Sequence, residues 1–101
     1  AGLVVAGFAK VEAALDAGGV ALLLHARDGA EDGISKLDRR FRAIIGDADL
    51  SIRICKELTS AEMSLALGRL NVVHAAASEG GASRRIQQEA GRLRRFRTAG
   101  D

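Results

Sequence analysis

The feature that most constrains this chain is an alternation of strand-like and helix-like segments, which occurs four times in 101 residues. Each strand-like segment is a short apolar run, and each helix-like segment repeats apolar residues every three or four positions. In the first unit, an apolar run ends at Gly7, and Phe8, Val11 and Leu15 then follow at helical spacing. This order predicts an α/β domain with helices on both faces of one sheet.

The remaining elements are predicted from similar local signals. Leu58 and Met63 stand at the two positions of a hydrophobic staple around a capping box formed by Thr59 and Glu62. Residues 28–31 have the spacing of another capping box. We therefore predict strands at residues 20–24, 51–55 and 71–76, helices that begin at these two boxes and end at Gly46 and Gly68, and a last helix from about Gly81 to Phe96.

The composition limits the class of protein. An apolar fraction of 48% suffices for the core of one domain over residues 1–101, and a single cysteine excludes an internal disulfide, which favours a cytoplasmic protein. No apolar run is long enough to span a membrane, and no signal-peptide pattern is present. The chain starts without Met and enters its first strand almost at once, so we expect it to be a fragment of a longer protein.

Charge is distributed unevenly along the sequence. The formal net charge is +2, but residues 84–97 contain six arginines and one glutamate, so the rest of the chain is net negative. This asymmetry is a weak indication of a polyanionic partner. A solvated helix face with arginines near its C-terminus explains the same residues.

The histidine, cysteine and acidic residues form no pattern typical of an active site. His25, His74 and Cys55 stand near strand ends, where they could form a metal site or a Cys–His pair, but no CxxC or HxxxH spacing accompanies them and a structural role is the preferred interpretation. The carboxylates of residues 28–32 fit the first turn of a helix, and the small residues 80–83 fit a turn better than a phosphate loop. We expect no metal, no cofactor and no catalysis.

Two segments resemble a known family. LVVAGFAKVEAALDAGGVALLLHARD, and later LTSAEMSLALGRLNVVHAAASEGGAS, resemble the kink-turn RNA-binding superfamily of large-subunit ribosomal proteins. The closest similarity is to its bacterial branch joined to YlxR-type nucleic-acid-binding domains. The resemblance implies a three-layer α/β/α sandwich with a four-stranded mixed sheet, whose last strand is antiparallel to its neighbours. It also implies that the family's first helix would precede Ala1.

The resemblance also implies an RNA-binding edge. Family members bind RNA through the helix that follows the first glycine and the loop before the last strand. Where the family motif has Asn, Glu and Lys, this chain has Ala9, Lys10 and Ala13, so the groups that read bases are missing. Contacts to the RNA backbone are expected instead from Gly7, Phe8, Lys10, Arg27, Arg69, Leu70, Asn71, Arg92 and Arg95.

Phe8 has two interpretations. Its spacing with Val11 and Leu15 predicts a core residue, which we prefer, but its ring could instead stack on an unpaired base.

Two hypotheses for the function follow. The first is a non-enzymatic domain that binds structured or ribosomal RNA near the ribosome or the transcription machinery. The alternative is a protein-interaction module, in which Phe8, Ala9, Ala13 and Leu70 face a YlxR-type domain or another protein. Salt dependence distinguishes them, because binding to phosphates weakens steeply as salt rises.

Overall fold

The computed structural model describes residues 4–78, together with residues 88 and 92. Strands and helices alternate along this part of the chain, as the sequence predicts, except that two helices in succession precede the third strand. The elements are β1 (Val4–Ala6), α1 (Phe8–Ala17), β2 (Val20–His25), α2 (Glu31–Ile45), α3 (Leu50–Arg53), β3 (Ile54–Cys55), α4 (Ser60–Leu67) and β4 (His74–Ser78).

The strands described form a mixed four-stranded sheet in the order β1-β4-β2-β3. β4 is antiparallel to both of its neighbours, whereas β2 and β3 are parallel. His25 of β2 lies directly opposite His74 of β4 in the register. The α/β class and the mixed sheet with an antiparallel last strand are therefore confirmed.

Alternation of side chains along the strands divides the core between the two faces of the sheet. On one face, Leu23 of β2 and Ala76 of β4 pack with Val11 of α1 and with Leu37 and Phe41 of α2. The neighbouring strand residues point to the other face and pack against α4 and the segments that flank it. This second cluster contains Leu22, Leu24, Ala75 and Ala77 from the strands and Leu58, Met63 and Val72 from around α4. Helices thus pack on both faces of the sheet, the arrangement expected for three layers.

Two predicted strands differ from the structure. Residues 51–55 were expected to be a single strand, but residues 51–53 belong to α3 and only Ile54 and Cys55 pair with β2. Ile52 is 70% exposed, because it lies on this short helix and not on a sheet face. β4 begins at His74 instead of residue 71, since Asn71 adopts a left-handed conformation that interrupts an extended strand.

One of the two predicted capping boxes is wrong. Ala30 is the N-cap of α2 and no side chain caps this helix among the described residues. The Asp28 carboxylate instead accepts a hydrogen bond from the backbone N–H of Ser60, at the start of α4 (2.9 Å). The other box is confirmed, because Thr59 accepts from the Glu62 N–H and the Glu62 carboxylate accepts from the Thr59 N–H.

Candidate functional site

The candidate site is one edge of the sheet, which we call the rim and define as residues 6–10, 26–31, 56–60 and 71–73. Two backbone hydrogen bonds connect these segments, from Ala26 N–H to the Val73 carbonyl (2.7 Å) and from Arg27 N–H to the Leu58 carbonyl (2.8 Å). A third joins Gly7 N–H to the carbonyl of His74, the first residue of β4 (2.9 Å). Because β1, β2 and β3 all run towards this edge, α1, α2 and α4 begin here. The rim therefore collects the N-terminal ends of these three described helices, each with a partial positive charge.

The connection between β1 and α1 depends on Gly7. This residue has φ 102° and ψ 145°, a conformation that essentially only glycine adopts at low cost. Its N–H donates to the carbonyl of His74 and its carbonyl accepts from Val11, the first hydrogen bond of α1. The Gly7 N–H, one of the groups expected to contact the RNA backbone, therefore already has an acceptor within the sheet.

The next backbone donors of α1 are placed differently. The leading N–H groups of a helix have no intrahelical acceptor, and no side chain within residues 4–78 caps those of α1. Phe8 itself is half-buried: it packs on the core cluster around Val11, and its ring meets His74 edge-on with centroids 5.8 Å apart. Its packing fits the interpretation of Phe8 as a core residue.

Charge distinguishes α1 from the other two helices that begin at the rim. The first turn of α2 contains Glu31 and Asp32, and that of α4 contains Glu62. The first turn of α1 contains no acidic residue, and its third residue is the exposed Lys10. The electrostatic potential at the start of α1 is therefore not neutralised by carboxylates of its own first turn.

The acidic residues farther along α1 have partners. Asp16 binds Arg40 of α2 through two hydrogen bonds (2.6 and 2.9 Å), and this guanidinium lowers the pKa of Asp16. Glu12 lies 3.5 Å from the same guanidinium. The negative charge of α1 is thus paired on the side that faces α2.

The other predicted RNA-binding residues fall into two groups. Arg27 and Asn71 are exposed on the rim. Arg69 and Leu70 are also exposed, but the Arg69 guanidinium donates to the carbonyl of Val4 (3.2 Å), at the far end of β1 from Gly7. The structure therefore places the Arg69 head group away from the start of α1.

The C-terminal arginines can be placed only in part. Arg92 and Gln88 are helical and exposed. Arg95 lies outside the described residues, as do the other arginines of the predicted basic face.

A chain of polar side chains runs beneath the rim and was not predicted as a unit. Nδ1 of His25 lies 2.9 Å from Nδ1 of His74, and Nε2 of His25 lies 2.6 Å from the Asp38 carboxylate. The other oxygen of Asp38 binds Lys56 (2.9 Å). His25 is fully buried and His74 is 9% exposed. We call these two residues the histidine pair.

Burial explains the charge state of the histidine pair. Loss of solvent lowers the pKa of both imidazoles, and the proximity of His25 lowers the pKa of His74 further. Asp38 opposes the shift at His25 but does not reverse its direction. Both rings are therefore neutral at pH 7. Because the Asp38 carboxylate accepts from His25 Nε2 and from Lys56, His25 accepts at Nδ1 and His74 donates from Nδ1.

Sequence signals for this cluster exist but are indirect. His25 ends β2 and His74 begins β4, so antiparallel pairing brings these two strand ends together, and the register then places the two residues opposite each other. Asp38 and Lys56 carry no such signal, because their positions depend on how α2 packs on the sheet. Cys55 joins the core cluster on the opposite face, so the Cys–His pair considered from the sequence is excluded.

Within residues 4–78, 88 and 92, no group of three histidine, cysteine or acidic side chains is arranged to hold a metal ion. The helices in that part of the chain lack the combined length and apolar character of a bilayer-crossing segment. No protein-family model matches the chain, and no curated protein matches it.

Proposed function

We propose that this chain is a non-enzymatic RNA-binding domain that holds the RNA backbone at the start of α1. The observation that carries the proposal is the contrast between helix starts at the rim. Acidic residues in a first turn stabilise a helix by about 0.3–1 kcal/mol each, and α2 and α4 contain them. α1 lacks them and presents Lys10 with uncapped N–H donors. This combination suits a phosphate group.

The mode of recognition follows from the side chains present. Ala9 and Ala13 have no hydrogen-bonding groups with which to read base edges, whereas Lys10 and Arg27 are exposed cations on the rim. Contacts of this kind fix the position of a nucleic acid but carry little sequence information. The resemblance to kink-turn-binding ribosomal proteins supports RNA as the ligand, and with it a cytoplasmic role near ribosomes or transcription.

The test is a binding titration with fluorescently labelled RNA. We would compare a kink-turn, a plain RNA duplex, a single strand and a DNA duplex of the same sequence, each between about 50 and 200 mM salt. We expect affinity for RNA to fall steeply with salt, and Lys10→Glu to reduce the slope of log K against log[salt] by about 1 or more. Absence of RNA binding at the lowest salt would refute the proposal.

Arg39→Glu is the matched control. Arg39 is an exposed residue in the ninth position of α2, away from the rim, and its substitution changes the net charge by the same amount as Lys10→Glu. We expect this variant to retain most of the RNA affinity. Equal losses in the two variants would show that only the overall charge matters and would contradict a site at α1.

A protein-interaction surface is the second candidate, and two exposed leucines favour it. Leu65 is 86% and Leu70 is 90% exposed, and both line a shallow depression at the C-terminal end of α4 with Ala61 and Gly68. Neighbouring exposed apolar side chains are more typical of an interface than a single one. Binding here to a YlxR-type domain would be insensitive to salt and unaffected by Lys10→Glu.

A further inference from the structure

The histidine pair has one arrangement of protons that satisfies all of its contacts. His25 donates to Asp38 and accepts from His74, which leaves Nε2 of His74 without a proton. That nitrogen faces Gly33 in the first turn of α2, where a Cβ on Gly33 would lie only 3.1 Å away. The close approach of Gly33 leaves little room for a proton on this nitrogen, which suits its unprotonated state.

One additional proton creates a conflict in this arrangement. If it is added between the rings while His74 keeps its proton on Nδ1, two N–H donors face each other across 2.9 Å. If the proton is carried on Nε2 of His74, that N–H group faces the Cα of Gly33, which has no acceptor to offer. The first case opposes two donors, and the second leaves a donor without an acceptor from Gly33, so both cost free energy.

The pair is linked directly to the candidate anion site. The carbonyl of His74 accepts the Gly7 N–H, and its ring contacts Phe8, the first residue of α1. A movement of His74 therefore moves the turn that sets the position of the α1 donors. We propose that the histidine pair is an acid-sensitive latch, which holds the start of α1 in its anion-binding position at neutral pH and releases it when the pair takes up a proton.

This inference rests on the function proposed above, and the surrounding charges are consistent with it. From α2, Asp38 contacts His25, and Glu31 favours its protonation at longer range. Lys56, after β3, opposes protonation of His25. The ring contact from α1 comes from Phe8, which does not titrate. The histidine pair therefore lies between the Asp38 carboxylate, which is already paired with Lys56, and the uncharged ring of Phe8.

Amide hydrogen exchange tests the latch without RNA. The N–H groups of Gly7 and Val11 report it directly, and the N–H of Met63, bonded to Thr59 in α4, is a control. After correction for intrinsic rates, we expect protection of Gly7 and Val11 to fall by up to about tenfold between pH 6.5 and 5.5, the effect of one proton. Protection of Met63 should fall much less. Equal changes, or none, would refute the latch.

His74→Asn provides a matched variant. An amide can donate to His25 and can also rotate to accept from it, so the added proton no longer creates a conflict. We expect exchange at Gly7 to become nearly independent of pH in this variant. A pH dependence equal to that of the original chain would overturn the proposal, and the measurements on the original chain remain decisive if the variant does not fold.

RNA titrations at pH 7.5 and 5.5 then separate the two proposals. The latch predicts weaker RNA binding at the lower pH, whereas protonation of histidines ordinarily strengthens binding to anions. Tighter binding in acid would contradict the latch. Absence of RNA binding at pH 7.5 would refute the proposed function alone, because the exchange of Gly7 and Val11 decides the latch independently.

Discussion

Gly33 shows how a single residue can set the distance between a helix and the sheet. It lies in the first turn of α2, where alanine would ordinarily be favoured. The absence of a side chain lets α2 lie close to His74 and to Phe8, whose Cδ2 atom would be 3.8 Å from an added Cβ. This glycine was not singled out by the sequence pattern, because its requirement comes from a packing contact and not from an unusual backbone conformation.

Substitution of Gly33 by alanine tests that contact. Alanine normally stabilises a helix by about 0.5–1 kcal/mol relative to glycine. The new Cβ would press on Nε2 of His74, which is held by His25 and Phe8. We therefore expect Gly33→Ala to lose this gain and to lower the free energy of unfolding, measured with urea. In a His74→Ala background the same substitution should be stabilising; destabilisation in both backgrounds would contradict the explanation.

At the scale of elements, the two capping boxes show what local sequence can and cannot predict. Thr59 and Glu62 form their box because both partners lie within one turn of the same helix. Residues 28–31 have the same spacing, but Asp28 bonds to Ser60, which is 32 residues away. The hydrogen bond between Asp28 and Ser60, which replaces the expected cap, forms only after β2 and β3 have paired, so the spacing alone could not predict it.

The uncapped start of α2 leads to a prediction of increased stability. Ala30 has the extended backbone typical of an N-cap but cannot accept a hydrogen bond with its side chain. Ala30→Ser should therefore raise the free energy of unfolding by about 0.5–2 kcal/mol. Ala43→Ser, at an exposed position in the last turn of the same helix, is the control and should lower it by up to about 0.5 kcal/mol. Absence of a gain in urea unfolding of the Ala30 variant would show that its N–H donors have other partners.

The third strand shows a further limit of pattern reading. Ile52 and Ile54 alternate with polar residues as they would in a strand, yet Ile52 is on α3 and mostly exposed. The length of this strand is set by its neighbour, because within the segment only Ile54 and Cys55 pair with β2. By contrast, the ends of α1, α2 and α4 were predictable, since glycines with positive φ stand at each one.

For the whole molecule, topology accounts for more of the rim than local sequence does. Parallel β1, β2 and β3 bring the starts of α1, α2 and α4 to one edge, and antiparallel β4 adds its own beginning there. The family resemblance led to the expectation of a mixed sheet with an antiparallel last strand, from which this arrangement follows. It gave no indication of the buried histidine pair, because that contact depends on the side-chain register between β2 and β4.

Acid should destabilise the whole fold in a defined range of pH. Burial lowers the pKa of His25 and His74 below the ordinary value of 6.5, so the unfolded chain binds protons that the folded chain does not. Stability should therefore be constant above about pH 7.5 and fall below 6.5, by up to about 1.4 kcal/mol per pH unit for each histidine. Asp16, whose pKa Arg40 lowers from 3.8, affects stability only at lower pH.

Urea unfolding at intervals from pH 8 to pH 5 measures this dependence, because the range lies above the titration of Asp16. The chain with His25→Gln and His74→Asn should be less stable at pH 8 but should lose less stability on acidification. A slope near zero in the original chain would mean that both histidines titrate in the folded state as they do in water. That result would be incompatible with a buried pair whose facing nitrogens are 2.9 Å apart.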